Sequence, residues 1–318
     1  MEKAKVLILG QPIEEGLSEL KEVFQVDQAP LENTRDWLLE HLADYDALYT
    51  TQLPVDKEMI DAGENLKIIS THSVGFDHID IDYAKEKGIV VSNSPEAVMV
   101  PTAELAVTLM LSIMRHVAFL DRRLRDGEWV NTTLPSGLSQ GLNGKTVGIF
   151  GFGRIGQEVA KMVQVFGATV IYNKRHPLAK DQEEELQVSY RDFDDLVREA
   201  DVISLHAPAT ADTKGLFDEE VFSKMKEGSF LVNTARGALV DEEAMIAALK
   251  SGQLAGAGLD VYEVEGQSHP DLIKLDNVVM TPHSGSATWD ARIKLSRETA
   301  QNIISYLHDG KVINQVNA

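Results

Sequence analysis

The feature that most constrains the fold of this chain is a glycine-rich turn between an apolar run and an amphipathic run. The stretch "TVGIFGFGRIGQEVAKMVQVFG" places Gly151, Gly153 and Gly156 in the spacing GxGxxG. In such a turn the first glycine permits a tight bend, the second lets the backbone approach a diphosphate, and the third permits close packing of helix on strand. The N–H groups of the helix N-terminus attract phosphate. The stretch therefore predicts a strand–turn–helix unit that binds a dinucleotide.

Short apolar runs alternate with amphipathic runs along the rest of the chain. Many of the apolar runs are rich in Val and Ile and lack polar alternation, which is typical of parallel strands buried on both faces. Strands that alternate with helices indicate an α/β fold with helices on both faces of the sheet. The predicted strands are "KVLIL", "VFQVD", "DALYT", "KIIST", "IVV", "TVGIF", "TVIYN", "VISLH", "SFLVN", "AGAGLDV" and "NVVMT". The helical patterns of the first part cover residues 14–22, 34–42 and 80–87.

Two longer helical patterns mark the joints between domains. Pro101 suits the first turn of a helix that we expect to run to about Asp126 and to stop at Gly127. A last helix is predicted over residues 288–307. A chain of 318 residues is long enough for two domains. Because the glycine turn comes only at residue 151, a complete α/β unit precedes the dinucleotide unit.

The composition limits the possible partners. The formal net charge is −20, and no long Lys/Arg run offsets it, so we expect no nucleic-acid partner. The chain has no cysteine, which excludes disulfides and zinc–thiolate sites, and no metal-binding motif stands out. The N-terminal apolar run is too short for a signal peptide, and the longest apolar stretch carries charged residues. We therefore expect a cytoplasmic protein with no membrane partner.

The segment "VIYNKRHP", from Val170 to Pro177, carries an unusual charge for its position. About 20 residues after a glycine turn of this kind, an acidic side chain usually binds the ribose of NAD. Here the place is taken by Asn173, Lys174 and Arg175. An amide can donate a hydrogen bond, and two cations suit a 2′-phosphate. We therefore predict that NADP(H) is favoured over NAD(H).

Six further stretches, taken together, resemble the D-isomer-specific 2-hydroxyacid dehydrogenase family. In chain order they are "SVGFDHID", "GFGRIG", "HAPATADTKGLF", "NTARGALVDEEAMIAAL", "GAGLDVYEVEG" and "TPHSGSAT". The resemblance implies two doubly wound parallel-sheet domains, with a Rossmann NAD(P)-binding domain inserted into a flavodoxin-like substrate domain. The expected substrate domain comprises residues 1–100 and 288–318, and the expected dinucleotide domain comprises residues 101–287.

The resemblance also implies three catalytic residues. Arg236, in "NTARG", would bind the substrate carboxylate and polarise the keto oxygen. His283, in "TPHSG", would contact the substrate and protonate that oxygen, since histidine exchanges protons near neutral pH. A buried carboxylate beside His283 would orient its ring. We expect this to be Glu265, with Glu263 as the competing candidate.

Further contacts follow from the same resemblance. The backbone N–H groups of Val74 and Gly75 would bind the substrate carboxylate. The carboxylate of Asp260 suits the nicotinamide carboxamide. The residues expected along the cofactor are Thr102, Gly151, Gly153, Arg154, Ile155, Gly156, Asn173, Lys174, Arg175, His206, Ala207, Pro208, Thr213, Thr234, Ala235, Asp260, Gly285 and Ser286. For Thr102, His206, Ala207, Pro208 and Thr213, a role in packing alone is nearly as plausible.

The activity that the resemblance implies is reduction of a small 2-keto acid to the D-2-hydroxy acid by hydride transfer from NADPH. Glyoxylate or hydroxypyruvate is the favoured substrate. One alternative is a phosphoglycerate-type or other D-2-hydroxyacid dehydrogenase that uses NAD. A second is a non-catalytic nucleotide-sensing scaffold or corepressor on the same fold. A homodimer is also expected, with the dinucleotide domains and residues 127–143 as the contact.

Overall fold

The computed structural model describes residues 3–32, 34–51, 53–134 and 137–318. The chain forms two compact units. The first unit comprises Met1–Met99 and Ser286–Ala318, and the second comprises Val100–Gly285. The dinucleotide unit therefore lies between two segments of the other unit along the sequence. The assignment of substrate binding to the first unit stays a prediction.

The first unit contains a five-stranded parallel sheet with helices on both faces. Its strands are β1 (Lys5–Ile8), β2 (Gln25–Gln28), β3 (Ala47–Thr50), β4 (Ile68–Thr71) and β5 (Val90–Ser92). Its helices are α1 (Ser18–Val23), α2 (Thr34–His41), α3 (Lys57–Ala62), α4 (Ile81–Glu86) and the C-terminal α12 (Trp289–Asp309). Numbering of both element types follows the whole chain. The strand order β2-β1-β3-β4-β5 is the flavodoxin-like doubly wound order.

The second unit contains a seven-stranded parallel sheet. Its strands are β6 (Thr146–Phe150), β7 (Thr169–Asn173), β8 (Val188–Tyr190), β9 (Val202–Leu205), β10 (Ser229–Asn233), β11 (Leu254–Leu259) and β12 (Val278–Met280). Its helices are α5 (Met99–Met114), α6 (Val117–Arg125), α7 (Arg154–Val165), α8 (Lys180–Leu186), α9 (Phe193–Glu199), α10 (Glu219–Lys224) and α11 (Glu242–Ser251).

The strand order of the second unit locates its ligand crevice. The order β12-β11-β10-β9-β6-β7-β8 is a Rossmann order extended by one strand, and its direction reverses between β6 and β9. Ligands of such sheets bind at the carboxyl ends of the strands beside this reversal. The glycine turn follows β6, and "HAPATADT" follows β9. The fold therefore brings two of the stretches identified in the sequence to the expected place, and the predicted fold class is confirmed.

The predicted helix from Pro101 to Asp126 is wrong as a single helix. It is two helices, α5 and α6, bent by 62° at their break. His116 adopts a left-handed φ of 55° there, which no uninterrupted α-helix permits. Among the described residues, no single helix is long and apolar enough to cross a membrane, and only this bent pair meets that length and composition together.

Candidate active site

The three glycines of the turn after β6 differ in what a side chain would meet. Gly151 has a φ of +92°, and a Cβ atom there would lie 2.3 Å from the backbone nitrogen of Ala207. A Cβ atom at Gly156 would lie 2.6 Å from the carbonyl oxygen of Gly151. At Gly153 a Cβ atom would meet nothing within 4 Å. The first and third glycines are therefore required by the fold itself, whereas the second leaves open space beside the backbone.

Helix α7 begins immediately after this open space. Its N-cap is Gly153, which provides no side-chain hydrogen bond, and Arg154 and Ile155 are its first two residues. The first N–H groups of a helix have no partner within the helix. Together with the helix dipole, they form an anion site beside the second glycine.

The loop after β9 forms the opposite side of the crevice. The N–H of His206 donates to the carbonyl of Phe150 at 2.7 Å, which ties this loop to the end of β6. Burial lowers the pKa of His206 to about 4, so its imidazole is neutral at neutral pH, and Nε2 lies 2.8 Å from the Ser204 hydroxyl. The Thr213 hydroxyl donates to the Pro208 carbonyl at 2.7 Å. Thr213 therefore stabilises the loop through a hydrogen bond between two of the loop's own residues.

The end of β10 carries a buried hydroxyl group without a partner. The Thr234 side chain is buried, and its Oγ1 has no hydrogen-bond partner among the described residues. The next residue, Ala235, donates its N–H to the side-chain oxygen of Asn233 at 3.0 Å. An unpaired buried hydroxyl is costly, so the Thr234 Oγ1 is suited to a polar group of a bound ligand.

The turn that carries Arg236 is held in two ways. The Asn233 side-chain amide donates to the Arg236 carbonyl oxygen at 2.9 Å. The next residue, Gly237, lies against the following loop so closely that a Cβ atom would be 1.8 Å from the Tyr262 carbonyl oxygen. The Arg236 side chain is half-buried, and its Nη1 donates to the Ala235 carbonyl at 2.7 Å. The guanidinium is therefore presented from a rigid turn at the carboxyl end of β10.

The structure pairs His283 with Glu265. Nδ1 of His283 lies 3.2 Å from Oε2 of Glu265. An ionised carboxylate only accepts hydrogen bonds, so this contact calls for a proton on Nδ1, and Nε2 takes no part in it. His283 has a left-handed φ of 51°, a strained conformation for a non-glycine residue. The expectation of a buried carboxylate is wrong: the Glu265 side chain is 52% exposed and lies on a surface loop.

Asp260 organises the loop that carries His283. Its carboxylate accepts hydrogen bonds from the Thr281 hydroxyl at 2.6 Å, the Ser284 N–H at 2.7 Å and the Gly285 N–H at 2.9 Å. Its carbonyl oxygen also accepts the His283 N–H at 2.8 Å. Asp260 is 1% exposed, and its carboxylate is already satisfied by this loop. Gly285 lies close to Thr102 of α5: a Cβ atom added at Gly285 would lie 3.3 Å from the Thr102 side chain.

Two buried side chains that the sequence did not single out connect the catalytic loops. Oε1 of Glu242, in the first turn of α11, accepts the Glu263 N–H at 2.6 Å. The Tyr262 hydroxyl donates to the Thr281 carbonyl at 2.8 Å. Burial, reinforced by the nearby Asp260 and Glu265 carboxylates, raises the pKa of Tyr262 to about 12, so it remains a donor. The only sequence signal was their place beside "NTARG" and "DVYEVEG".

The segment after β7 presents the predicted cations. Arg175 is exposed and Lys174 is half-buried. The Asn173 amide donates to the Arg191 carbonyl at 2.9 Å. Asn173 therefore anchors the segment to the chain with one of its two amide N–H groups, and its donation to a cofactor stays a prediction.

Three predicted residues lie in the other unit. The Val74 carbonyl accepts a hydrogen bond from Asn93 at 2.8 Å, and the Gly75 carbonyl accepts one from Ser73 at 2.6 Å. No acceptor for the N–H groups of Val74 and Gly75 lies among the residues that the structure describes. Those two groups are therefore available to an anionic ligand. Ser286 also belongs to this unit.

The second unit as a whole fits a dinucleotide. The open space beside Gly153 lies directly before the N-terminus of α7, and the Thr234 hydroxyl, buried and without a partner among the described residues, lies at the end of β10. Within the described part of the chain, no three His, Cys, Asp or Glu residues are grouped as metal ligands. The sequence model of D-isomer specific 2-hydroxyacid dehydrogenases, NAD binding domain, matches residues 107–285.

The chain belongs to the D-isomer-specific 2-hydroxyacid dehydrogenase family. It is 41% identical to the glyoxylate reductase of Thermococcus litoralis over 322 residues, which cover 99% of this chain and 97% of the relative. A crystal structure of a glyoxylate reductase from Paecilomyes thermophila matches with a TM-score of 0.92 and 34% identity over 99% of both chains. A Sinorhizobium meliloti NADPH-dependent glyoxylate/hydroxypyruvate reductase, solved with NADP and malonate, matches with a TM-score of 0.86 and 29% identity over 99% of this chain and 97% of that one.

Membership of this dehydrogenase family fixes the class of chemistry. The chain is an NAD(P)-dependent oxidoreductase that acts on CH–OH groups, with a nicotinamide cofactor and a small 2-hydroxy or 2-keto acid as substrate. Family membership leaves the preferred cofactor and the substrate to be settled by the residues of this chain.

Proposed function

We propose that this chain is an NADPH-preferring reductase of glyoxylate or hydroxypyruvate. The observation that carries the catalytic part is the pairing of His283 with Glu265 on loops that are tied to the Arg236 turn. The substrate is supported by the similarity of this chain, over nearly its full length, to two glyoxylate reductases.

Each of the three side chains has a defined task in the reduction. Arg236 binds the carboxylate of the keto acid and polarises its keto oxygen. When bound, the nicotinamide supplies the hydride for the keto carbon. His283 donates its Nε2 proton to the keto oxygen, and Glu265 holds the ring through Nδ1. In the reverse reaction, neutral His283 accepts the proton from the alcohol.

Other predicted contacts complete this proposal. The free N–H groups of Val74 and Gly75 bind the substrate carboxylate. The Thr234 hydroxyl and the rim formed by Ala235, Asp260, Gly285 and Ser286 contact the nicotinamide end. Because the Asp260 carboxylate is engaged by its own loop, we assign it the additional task of fixing that loop.

The NADPH preference rests on the charge of the segment after β7. Lys174 and Arg175 are two cations on a chain of net charge −20, and they stand where NAD-specific folds place an acid. The NADPH-dependent reductase of Sinorhizobium meliloti is similar over nearly the whole chain. A 2′-phosphate is stabilised by such cations, whereas the 2′-hydroxyl of NADH gains little from them.

A panel of initial rates tests this function. Glyoxylate, hydroxypyruvate and phosphohydroxypyruvate are each assayed with NADPH and with NADH. We expect the first two with NADPH to give the highest kcat/KM. Arg175→Ala should lower kcat/KM for NADPH about tenfold and leave that for NADH unchanged. The surface variant Lys274→Ala, which removes the same charge from a side chain that is 69% exposed, is the matched control.

Three outcomes of the panel would refute the proposal. Equal use of NADPH and NADH by the unmodified protein removes the cofactor preference. Turnover of phosphohydroxypyruvate alone, with NADH, favours the phosphoglycerate-type alternative. Absence of turnover on every keto acid favours the nucleotide-sensing scaffold.

We also propose that the chain forms a homodimer through α6 and the segment that follows it. Residues 135 and 136 of this segment lie outside the described residues. Large apolar side chains are exposed here in one region, including Val117 at 54%, Leu124 at 54%, Trp129 at 87% and Leu138 at 60%. Clustered exposed apolar groups are typical of an interaction surface.

In sedimentation, Trp129→Glu should convert a dimer to a 35.0 kDa monomer, whereas Val165→Glu, at an 86% exposed position on α7, should not. A monomeric unmodified protein would contradict this.

A further inference from the structure

The buried hydroxyl of Tyr172 closes the loop that carries Lys174 and Arg175. Tyr172 is the fourth residue of β7 and is 0% exposed. Its hydroxyl accepts the Leu178 N–H at 2.8 Å and donates to Oε1 of Glu183 at 2.8 Å. The same Glu183 oxygen accepts the Tyr190 N–H at 3.1 Å. Tyr172, in the strand before the loop, is thus bonded to Leu178 after the loop and to Glu183 of helix α8. Glu183 extends the connection to strand β8.

The hydroxyl is suited to this double contact over the whole physiological pH range. Burial raises the pKa of Tyr172 to about 12, so the phenol keeps its proton and can donate to Glu183 while accepting from Leu178. The loop itself supplies few alternative restraints, since Arg175, His176 and Pro177 are exposed. Without the Tyr172 bonds, the long side chains of the loop would have to be ordered by the ligand itself, at a cost in entropy.

The Tyr172 ring also links the loop to the glycine turn. It stacks on the ring of Phe152, the second residue of "GFGRIG", with centroids 4.3 Å apart and an interplanar angle of 30°. Phe152 is 0% exposed. In addition, the Gly151 N–H donates to the Asn173 carbonyl at 3.0 Å. The glycine turn and the cation loop are therefore fixed relative to each other through Tyr172 and its strand.

We infer that Tyr172 is a positioning residue for cofactor selection: its hydroxyl holds Lys174 and Arg175 where they meet a 2′-phosphate, at a fixed distance from the glycine turn. This rests on the proposed NADPH preference. Tyr172 touches no ligand, so its effect is on the discrimination between the two cofactors and not on the hydride-transfer step.

The variant Tyr172→Phe isolates the hydroxyl, because the ring that stacks on Phe152 is retained. Binding of 2′,5′-ADP and of 5′-AMP is measured by calorimetry on the full chain. We expect the Kd of 2′,5′-ADP to rise about tenfold and the Kd of 5′-AMP to stay unchanged. The selectivity for NADPH over NADH in kcat/KM should fall by the same factor, with kcat preserved. Hydrogen exchange of the peptide that contains Leu178 should become faster, since its N–H loses its acceptor.

Two further variants keep the test decisive. The Tyr190 ring packs on the Tyr172 ring with centroids 5.7 Å apart. Tyr190→Phe removes only the Tyr190 hydroxyl, which makes no hydrogen bond among the described residues. It should leave both affinities unchanged. Glu183→Ala removes the acceptor from the outer side and leaves the buried ring in place, so it should reproduce the loss even if Tyr172→Phe folds poorly.

The possible results distinguish a failure of this inference from a failure of the proposed NADPH preference. If the unmodified protein binds 2′,5′-ADP no more tightly than 5′-AMP, the NADPH preference and this inference fall together. If the unmodified protein discriminates but Tyr172→Phe and Glu183→Ala discriminate equally well, only the role of Tyr172 is refuted. An equal loss of affinity for both nucleotides would show that Tyr172 merely supports the fold, and would also overturn the inference.

Discussion

At the residue scale, the two exposed side chains that we propose act in catalysis depend on buried polar neighbours. His283 and Glu265 lie on surface loops, with side chains that are 39% and 52% exposed. Their loops are fixed from beneath by the carboxylates of Asp260 and Glu242 and by the Tyr262 hydroxyl. Catalytic groups must be held within fractions of an ångström of their productive positions. The buried residues are therefore expected to control turnover without touching the substrate.

Glu242 allows this dependence to be measured. Glu242→Ala removes the acceptor of the Glu263 N–H and loosens the loop that bears Glu265, so we expect kcat to fall about tenfold with little change in NADPH affinity. Glu242→Gln keeps a side-chain oxygen and should retain most activity. Glu243→Ala, at a neighbouring side chain that is 78% exposed, is the control. Unchanged kcat in Glu242→Ala would contradict the role.

Sequence reasoning found the charged catalytic candidates but not the residues that hold them. Arg236, Glu265 and His283 stood out because their motifs combine chemically active side chains with strand ends. Asn233, Glu242 and Tyr262 act through contacts between loops that only the folded sheet brings together. The left-handed φ of His283 likewise had no local signal, because histidine adopts that region only where its surroundings impose it.

At the element scale, the strand–turn–helix unit from β6 to α7 carries most of the cofactor argument. Its first and third glycines are enclosed by backbone, and its second faces open space. The sequence alone assigned these roles, since they follow from the GxGxxG spacing. The same unit now offers a matched pair of variants.

Gly151→Ala and Gly153→Ala should fail in different ways. At Gly151 the φ of +92° and the contact of 2.3 Å predict a loss of about 3 kcal/mol or more in the free energy of unfolding. At Gly153 the φ of −87° and the open space predict a normal melting temperature but weaker NADPH binding, because the methyl group takes the place of the diphosphate. Thermal unfolding and cofactor titration distinguish the two. Normal NADPH affinity in Gly153→Ala would contradict the assignment of the space beside Gly153 to the cofactor diphosphate.

Two features that the sequence did not predict share a physical reason. Strand β8 (VSY) is a three-residue edge strand in which a serine interrupts the apolar residues, so no apolar run marks it. The break between α5 and α6 occurs at Arg115 and His116, without Gly or Pro, inside a long and mostly apolar run. Such features are decided by tertiary packing, which local propensity does not contain. The long parallel strands were predictable because burial on both faces leaves an unmistakable composition.

At the scale of the whole molecule, two histidines with lowered pKa values tie stability to pH. Burial, with a smaller contribution from Arg292, lowers the pKa of His72 to about 4, and burial alone lowers that of His206 to about 4. Both imidazoles are therefore neutral in the folded chain at a pH where the unfolded chain, with a pKa of about 6.5, already binds protons. Their contribution to stability is complete above pH ~6.5 and is lost as the pH falls toward ~4.

Urea unfolding at a series of pH values checks this dependence. For His72, which is 7% exposed, the loss amounts to about 3 kcal/mol across that interval. His72→Gln and His206→Gln should each flatten the fall in unfolding free energy between pH ~6.5 and pH ~4. His308→Gln, at a side chain that is 64% exposed, should leave the slope unchanged. The same slope in all three variants would contradict the buried neutral state.

The acidic surface and the cationic site have opposite signs. The chain carries a net charge of −20, yet its keto-acid substrate and its cofactor are anions. Under the proposed function, recognition comes from local groups: Arg236, the loop of Lys174 and Arg175, and the N-terminus of α7.

The most direct test of the central claim is the turnover of His283→Ala measured beside its NADPH affinity. With glyoxylate or hydroxypyruvate, kcat should fall about 10³-fold because the proton donor is lost. The Kd of NADPH, followed by fluorescence, should stay unchanged because His283 lies on a loop apart from the glycine turn. His308→Ala should change neither quantity. A variant that keeps turnover within about tenfold of the unmodified enzyme, or that loses NADPH binding together with activity, would contradict the assignment of His283 as the proton donor.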